Sequence, residues 1–265
     1  MTILLACQDN LPPGETFRER LANLKRYGFD AVELRGAGLL DRLPETRVAL
    51  TAVEMPVSSI CAGFEGSLVH PEPTQRQTAL DGIKRLLDVA EEFGAHGLIM
   101  AADYGAPPLP DLRPAFDPAH LLRQLLLVGL HDLAEHLRGM RTSLFLEPLN
   151  RYQSRALRQM APAVALCEEV HSPNIHVMYD TFHMAIEEAD PITALKETGD
   201  RLGHVHLSDS NRQLPGRGHI DFQVVAQTLN GMGFGGAAAL ECDISGDPDI
   251  LLRRSVEFLR SVLMS

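Results

Sequence analysis

Four short apolar runs in this chain each lead into a group that can bind a cation or move a proton. Leu144-Phe145-Leu146 runs into Glu147, and Pro148 follows. A carboxylate directly after an apolar run is costly to bury unless it is paired or metal-bound. Pro148 ends the run, so Glu147 sits at its rim, with an ion pair to Arg151 as the plainer reading. Val177-Met178-Tyr179 runs into Asp180, which shares a face with Met178 and His176 by the two-residue period of a strand. An N-capping role is the competing reading of Asp180, and His183 lies three residues on, in the expected loop. His204-Val205-His206 places two imidazoles on one face. His206 is nearer the top and is the better ligand; His204, deeper, reads as a core histidine with its hydrogen bonds met. The glycines of Pro215-Gly216-Arg217-Gly218-His219 allow a close backbone approach to the mouth. The last run ends Leu240-Glu241-Cys242-Asp243, with Glu241 inward and Cys242 outward. Asp243 also points inward by alternation, which does not choose between the two acids.

Three carboxylates and one imidazole on successive strand ends make an oxygen-rich site with one nitrogen. Such a set suits a hard or borderline divalent ion such as Mn²⁺ or Mg²⁺. Without the ion the carboxylates repel each other and one takes up a proton. A sugar that chelates the ion through a carbonyl and a hydroxyl has its adjacent C–H proton acidified. One carboxylate can remove that proton and another can return one. Return to the opposite face is epimerisation; return to the neighbouring carbon is isomerisation.

These groups converge only if the elements that carry them close on each other. Eight short apolar runs read as strands: 3–7, 31–34, 58–62, 97–101, 143–147, 176–180, 204–208 and 237–242. Helix-like segments alternate with them over 16–27, 43–51, 74–93, 118–138, 161–170, 191–199, 221–232 and 247–263. That alternation is the pattern of a parallel α/β structure closed as a (β/α)8 TIM barrel. Such a barrel takes about 250 residues, so the 265 residues are expected to form one barrel domain over 1–265. Gly28 and Gly94 stand where helix C-caps belong, and Asp190-Pro191 and Asp247-Pro248 read as helix starts. An open doubly wound sheet would usually carry a Gly-rich phosphate loop after its first strand; here the chain reads Gln8-Asp9-Asn10-Leu11-Pro12-Pro13-Gly14. The Pro-rich stretch 105–114 follows the fourth strand and is either a stiff loop over the site or a plain connector.

Composition narrows the partners. The formal net charge is −11, which repels phosphate backbones and argues against nucleic acid. No run approaches the ~20 apolar residues of a membrane span. Leu4-Leu5-Ala6-Cys7 has the look of a lipoprotein box, but the apolar run before it is too short and lacks a basic flank, so no signal peptide is expected. Four scattered cysteines without a CxxC pair point to reduced thiols and a cytoplasmic location.

Taken together, Glu147-Pro-Leu-Asn-Arg-Tyr152, Asp180-Thr-Phe-His183, His204-Val-His206 through Arg212, Pro215 to Phe222, and Leu240-Glu241-Cys242 resemble the xylose-isomerase-like barrel superfamily. The chain is most similar to its ketose 3-epimerases (tagatose and psicose type) and their hydroxypyruvate isomerase relatives. The resemblance implies a sugar isomerase or epimerase. It implies Glu147, Asp180, His206 and Glu241 as ligands of Mn²⁺, with Mg²⁺, Co²⁺ or Zn²⁺ as alternatives, and Glu147 and Glu241 as the acid–base pair. It implies His183 and Arg212 as binders of the substrate's oxygen atoms, and it favours Glu241 over Asp243. Two departures stand out. Gln153 takes the place of a second glutamate; its amide can hydrogen-bond a hydroxyl but cannot take a proton, so it is expected to bind substrate. The chain has no Trp, and Tyr104 is the candidate to shape the pocket. An inosose-dehydratase-like lyase and a non-catalytic sugar-binding barrel are the alternatives on the same frame. The superfamily's zinc endonucleases need more histidine ligands and a basic groove. Relatives of this kind often form dimers or tetramers; the sequence leaves a homo-dimer, a homo-tetramer and a monomer open.

Overall fold

In the computed structural model, residues 2–104, 108–111, 113–115 and 117–263 are described. Eight parallel strands close on themselves in chain order. They are β1 (Leu4–Gln8), β2 (Ala31–Arg35), β3 (Val57–Cys61), β4 (Gly97–Ala101), β5 (Ser143–Glu147), β6 (Ile175–Asp180), β7 (Leu202–Leu207) and β8 (Ala237–Leu240). The helices around them are α1 (Phe17–Tyr27), α2 (Leu43–Val53), α3 (Pro73–Phe93), α4 (Pro118–His136), α5 (Met160–Val170), α6 (Thr181–Glu187), α7 (Pro191–Glu197), α8 (Phe222–Gly231) and α9 (Pro248–Leu263). This is the (β/α)8 barrel the alternation implies.

Local sequence explains the boundaries. Thr16 and Glu19 form a reciprocal capping box at the start of α1, and Gly28 ends that helix with φ of +96°. Asp190 caps α7 by accepting from the Thr193 amide. One expectation needs correction. The segment after β6 is no loop: α6 begins directly at Thr181, so His183 lies on a helix. Asp180 makes this abrupt change workable, because its side chain accepts the first orphan amides of α6. A second correction is smaller: β8 stops at Leu240, so Glu241 stands one residue beyond the strand.

The main core lies between strands and helices, with Leu24, Leu34, Ile83, Leu86, Leu130 and Leu133 fully buried there. Two smaller apolar groups fill the inside of the barrel. Ile99, Phe145 and Met178 form one. A Cβ at Gly97 or Gly203 would lie 2.5 or 2.4 Å from the Phe145 ring, so glycine makes room for the phenyl group. Ala6, Ala31 and Ala239 form the other and are level with one another in register. Their small side chains leave the interior volume to longer polar groups. The four cysteines are free thiols. Among the described residues no helix is long and apolar enough to cross a membrane.

Candidate metal centre and active site

The strand ends bring Glu147, Asp180, His206 and Glu241 together. Glu147 closes β5 and Asp180 closes β6. Asp180 is the register partner of His206 in β7, and Glu241 follows Leu240, the partner of Leu207. One ligand atom from each of the four lies within 4.8 Å of all the others. His206 Nδ1 is 2.9 Å from Glu241 Oε2 and 3.6 Å from both Glu147 Oε1 and Asp180 Oδ2. The 2.9 Å approach lacks hydrogen-bond geometry, so this fully buried nitrogen has no hydrogen-bond partner. The side chains of Asp180 and His206 are sealed from solvent, while Glu241 keeps 23% exposure toward the opening.

Both readings of Asp180 hold at once. Its Oδ1 accepts from the amides of Phe182 (2.8 Å) and His183 (3.2 Å), which caps α6. Its Oδ2 faces the cluster and accepts from Arg212 Nη1 at 2.7 Å. Arg212 also donates to Glu241 through Nη2, and its guanidinium lies over the Phe182 ring. The loop that carries Arg212 is tied down by buried Asp209. That carboxylate accepts from the amides of Ser210 (2.8 Å), Gly216 (2.9 Å) and Ile220 (3.2 Å). A Cβ at Gly218 would fall 2.2 Å from Asp209 Oδ1. Gly216 and Gly218 of this loop thus lie against the Asp209 carboxylate.

The remaining expected residues also find places. His183 Nδ1 accepts from the Asn150 amide (3.2 Å) and from Asn150 Nδ2 (2.8 Å). By that network Nε2 carries the ring proton and is free to donate; it lies 3.9 Å from Asp180 Oδ2. Gln153 lines the opening and is itself exposed. Arg151 pairs with Glu187 at 2.7 Å and leaves Glu147 to the cluster. Asp243 is exposed and its amide donates to the Arg212 carbonyl, so Glu241 is the eighth-strand acid in the cluster. Tyr104 lines the opening with 69% exposure. The Pro-rich stretch 105–114 lies partly outside the described residues.

Two residues of the site carry no motif and are missed by sequence reasoning. Glu33, in the middle of β2, is fully buried and lies 2.9 Å from both His204 Nε2 and His206 Nε2. Gln8, at the end of β1, donates through Nε2 to Glu33 Oε1 and to Glu241 Oε1, each at 3.0 Å. The available signal is a carboxylate inside an apolar strand, opposite two inward histidines that need an acceptor. His204 is buried in the core as expected and stacks on Phe145 with ring centroids 5.6 Å apart, but its Nδ1 has no hydrogen-bond partner among the described residues, so the expectation that its hydrogen bonds are met is corrected.

The electrostatics of the cluster favour a cation. Burial pushes the Glu147 carboxyl up from its ordinary value, against the pull of His206. Burial acts the same way on Asp180, but Arg212, His183 and His206 together hold it well below the carboxylate range. For Glu241, His206 and Arg212 likewise outweigh burial and lower it. Burial depresses His206, yet Glu33 and Glu241 raise it well above an ordinary imidazole. The local field thus draws positive charge to the side of His206 that faces the carboxylates. Three convergent oxygens and one unpartnered buried nitrogen fit a divalent cation, and these four residues could hold one. Above them opens a cavity of about 380 Å³, lined by Gln8, Arg35, Cys61, Gln153 and His183 among others. That is the scale of a small-molecule site.

Comparison with known proteins places this geometry. Residues 21–262 match the model of the xylose isomerase-like TIM barrel family. The chain is 30% identical over 253 residues to a 3-dehydro-D-guloside 4-epimerase of Escherichia coli, covering 93% of this chain and 95% of that protein. It is 36% identical over 224 residues to an L-ribulose 3-epimerase of Mesorhizobium japonicum, covering 81% and 71%. Among solved structures, a 3-keto-D-glucoside 4-epimerase from E. coli superimposes with a TM-score of 0.89 at 29% identity, over 98% of this chain and all of that one.

Proposed function

Because the chain belongs to the xylose isomerase-like TIM barrel family, we propose that it is a divalent-metal-dependent epimerase that inverts a stereocentre beside the ketone of a small sugar. The names of the relatives support the enzyme class, sugar isomerase or epimerase. They also share one piece of chemistry. In a 3-dehydro sugar epimerised at C4, and in a ketose epimerised at C3, the inverted carbon neighbours a carbonyl. The proton on such a carbon is acidic enough for a carboxylate to remove once charge on the carbonyl oxygen is stabilised.

The observation that carries this reading is the meeting of Glu147, Asp180, His206 and Glu241 at the floor of the cavity. A divalent ion held by these four residues supplies a Lewis acid for the carbonyl oxygen. Glu147 and Glu241 come from β5 and β8, with β6 and β7 between them, so they approach the cavity from different sides. One removes the C–H proton from its face; the other delivers a proton to the opposite face, and the roles exchange in the reverse direction. His183 presents its Nε2–H and Arg212 its guanidinium as donors to the sugar's oxygens. Gln153 at the rim offers an amide to a hydroxyl.

The test is proton–deuterium exchange, followed by NMR, on a panel of ketoses and 3-keto-glycosides in D₂O with Mn²⁺ present. Exchange at the carbon beside the ketone, abolished by EDTA and restored by Mn²⁺, is the expected result. A panel that binds without exchange would reduce the protein to a sugar-binding barrel.

A further inference from the structure

Glu33 lies inside the barrel and does not line the cavity. It is fully buried, a costly state for an ionised group unless donors surround it. Donors do surround it. Oε1 accepts from His206 Nε2 at 2.9 Å and from Gln8 Nε2 at 3.0 Å. Oε2 accepts from Ser59 Oγ at 2.6 Å and lies 2.9 Å from His204 Nε2. The four groups come from β1, β3 and β7 and close on a residue of β2. Oε1 thus has two hydrogen-bond donors, and Oε2 has one with His204 Nε2 close against it, so both oxygens are engaged by protein groups.

This arrangement has two consequences at the cavity floor. A carboxylate on His206 Nε2 requires a proton there, which leaves Nδ1 as the nitrogen that looks at Glu147, Asp180 and Glu241. Gln8 then uses the other hydrogen of the same amide on Glu241 Oε1, leaving Oε2 toward His206 and Arg212. We infer that Glu33 is a positioning residue, which sets the ring orientation and tautomer of His206 directly and the rotamer of Glu241 through Gln8. This rests on the proposed metal site but adds residues to it, and it assigns Glu33 and His204 to the support of that site rather than to a second ion.

The experiment titrates the whole chain with Mn²⁺ by calorimetry, as wild type, Glu33→Gln and Gln8→Met. Wild type is expected to bind one ion. Glu33→Gln keeps the shape but places an NH₂ among these groups; its Mn²⁺ affinity should fall about 10–100-fold with the stoichiometry still one. Gln8→Met should change the affinity less than about threefold and lower kcat about tenfold at unchanged KM, the signature of a misaligned proton-transfer group. Equal Mn²⁺ affinity in folded Glu33→Gln would overturn the inference, and so would two ions per wild-type chain. A wild-type protein that binds no Mn²⁺ would instead sink the proposed metal function. Should Glu33→Gln not fold, ¹⁵N NMR of the Mg²⁺-loaded wild type decides. It should show His206 with a protonated Nε2 shielded from exchange; an unprotonated Nε2 refutes the assignment.

Discussion

The two-carboxylate reading predicts that Glu241→Gln separates proton removal from inversion. Glu241 Oε2 lies 2.9 Å from His206 Nδ1 and accepts from Arg212, while Oε1 takes the Gln8 amide. Glutamine fills the same space but cannot accept the substrate's proton. General acid–base groups contribute about 10²–10⁴-fold, so epimerisation should fall about 10³-fold. At roughly 1.4 kcal/mol per factor of ten, that corresponds to about 4 kcal/mol. The lost charge also weakens the metal site, so the assay runs at Mn²⁺ levels that saturate the variant by titration. Glu147 remains in place, closing β5 on the other side of the cluster. It should still remove the proton of the one epimer that faces it and return deuterium to the same face. NMR in D₂O should therefore show exchange of one epimer within about tenfold of the wild-type rate, with inversion lost. Two outcomes refute the reasoning: inversion within tenfold of wild type, or loss of exchange in both epimers with Mn²⁺ bound.

Other consequences can be checked on stability. Chelation removes a ligand of the folded state; if Mn²⁺ stands at 100 times its Kd, EDTA should cost about 2.7 kcal/mol, read as a Tm drop of several degrees by calorimetry, and an unchanged Tm contradicts it. Gly203→Ala puts a Cβ 2.4 Å from the Phe145 ring; such overpacking costs about 1–3 kcal/mol, and a Tm equal to wild type would show that the floor can yield. Burial raises the Asp209 carboxyl, but the amides of Ser210, Ile220, Gly218 and Gly216 hold it below its ordinary value. A carboxylate lowered by folding stabilises above its unfolded pKa, near 3.9, and loses that contribution as pH falls through the folded value. The Tm gap between wild type and Asp209→Asn should thus be full at neutral pH and close below about pH 4; a gap constant through acid would mean the amides do not favour the charged form.

Much of this site is written in the chain itself. The apolar runs before Glu147, Asp180, His206 and Glu241 mark strand ends, and a closed parallel barrel leaves those ends at one rim. The strand limits fall within two residues of the pattern because both faces of each strand are buried and the apolar run stops where the barrel does. What the pattern hides is pairing across the interior. Glu33 and His206 are 173 positions apart, and between their strands lie β8 and β1. No spacing rule links them, and a glutamate in Ala31-Val32-Glu33-Leu34 reads equally well as a surface residue. The helix α6 is hidden for a different reason. Its capping residue is the last residue of β6, so no turn residue separates the two elements. Asp243 and Glu241 are alike by alternation; what separates them is that the chain beyond Leu240 leaves the strand, and the Asp243 amide pairs with the Arg212 loop.

The central claim is that four side chains from separate strand ends share one ion. A crystal grown with Mn²⁺, with anomalous data collected at the manganese edge, tests it most directly. One peak is expected per chain, within about 2.3 Å of carboxylate oxygens of Glu147, Asp180 and Glu241 and of His206 Nδ1, with Glu33 still on His206 Nε2. A peak on Glu33 and His204, or no peak on the four residues at saturating Mn²⁺, contradicts the account.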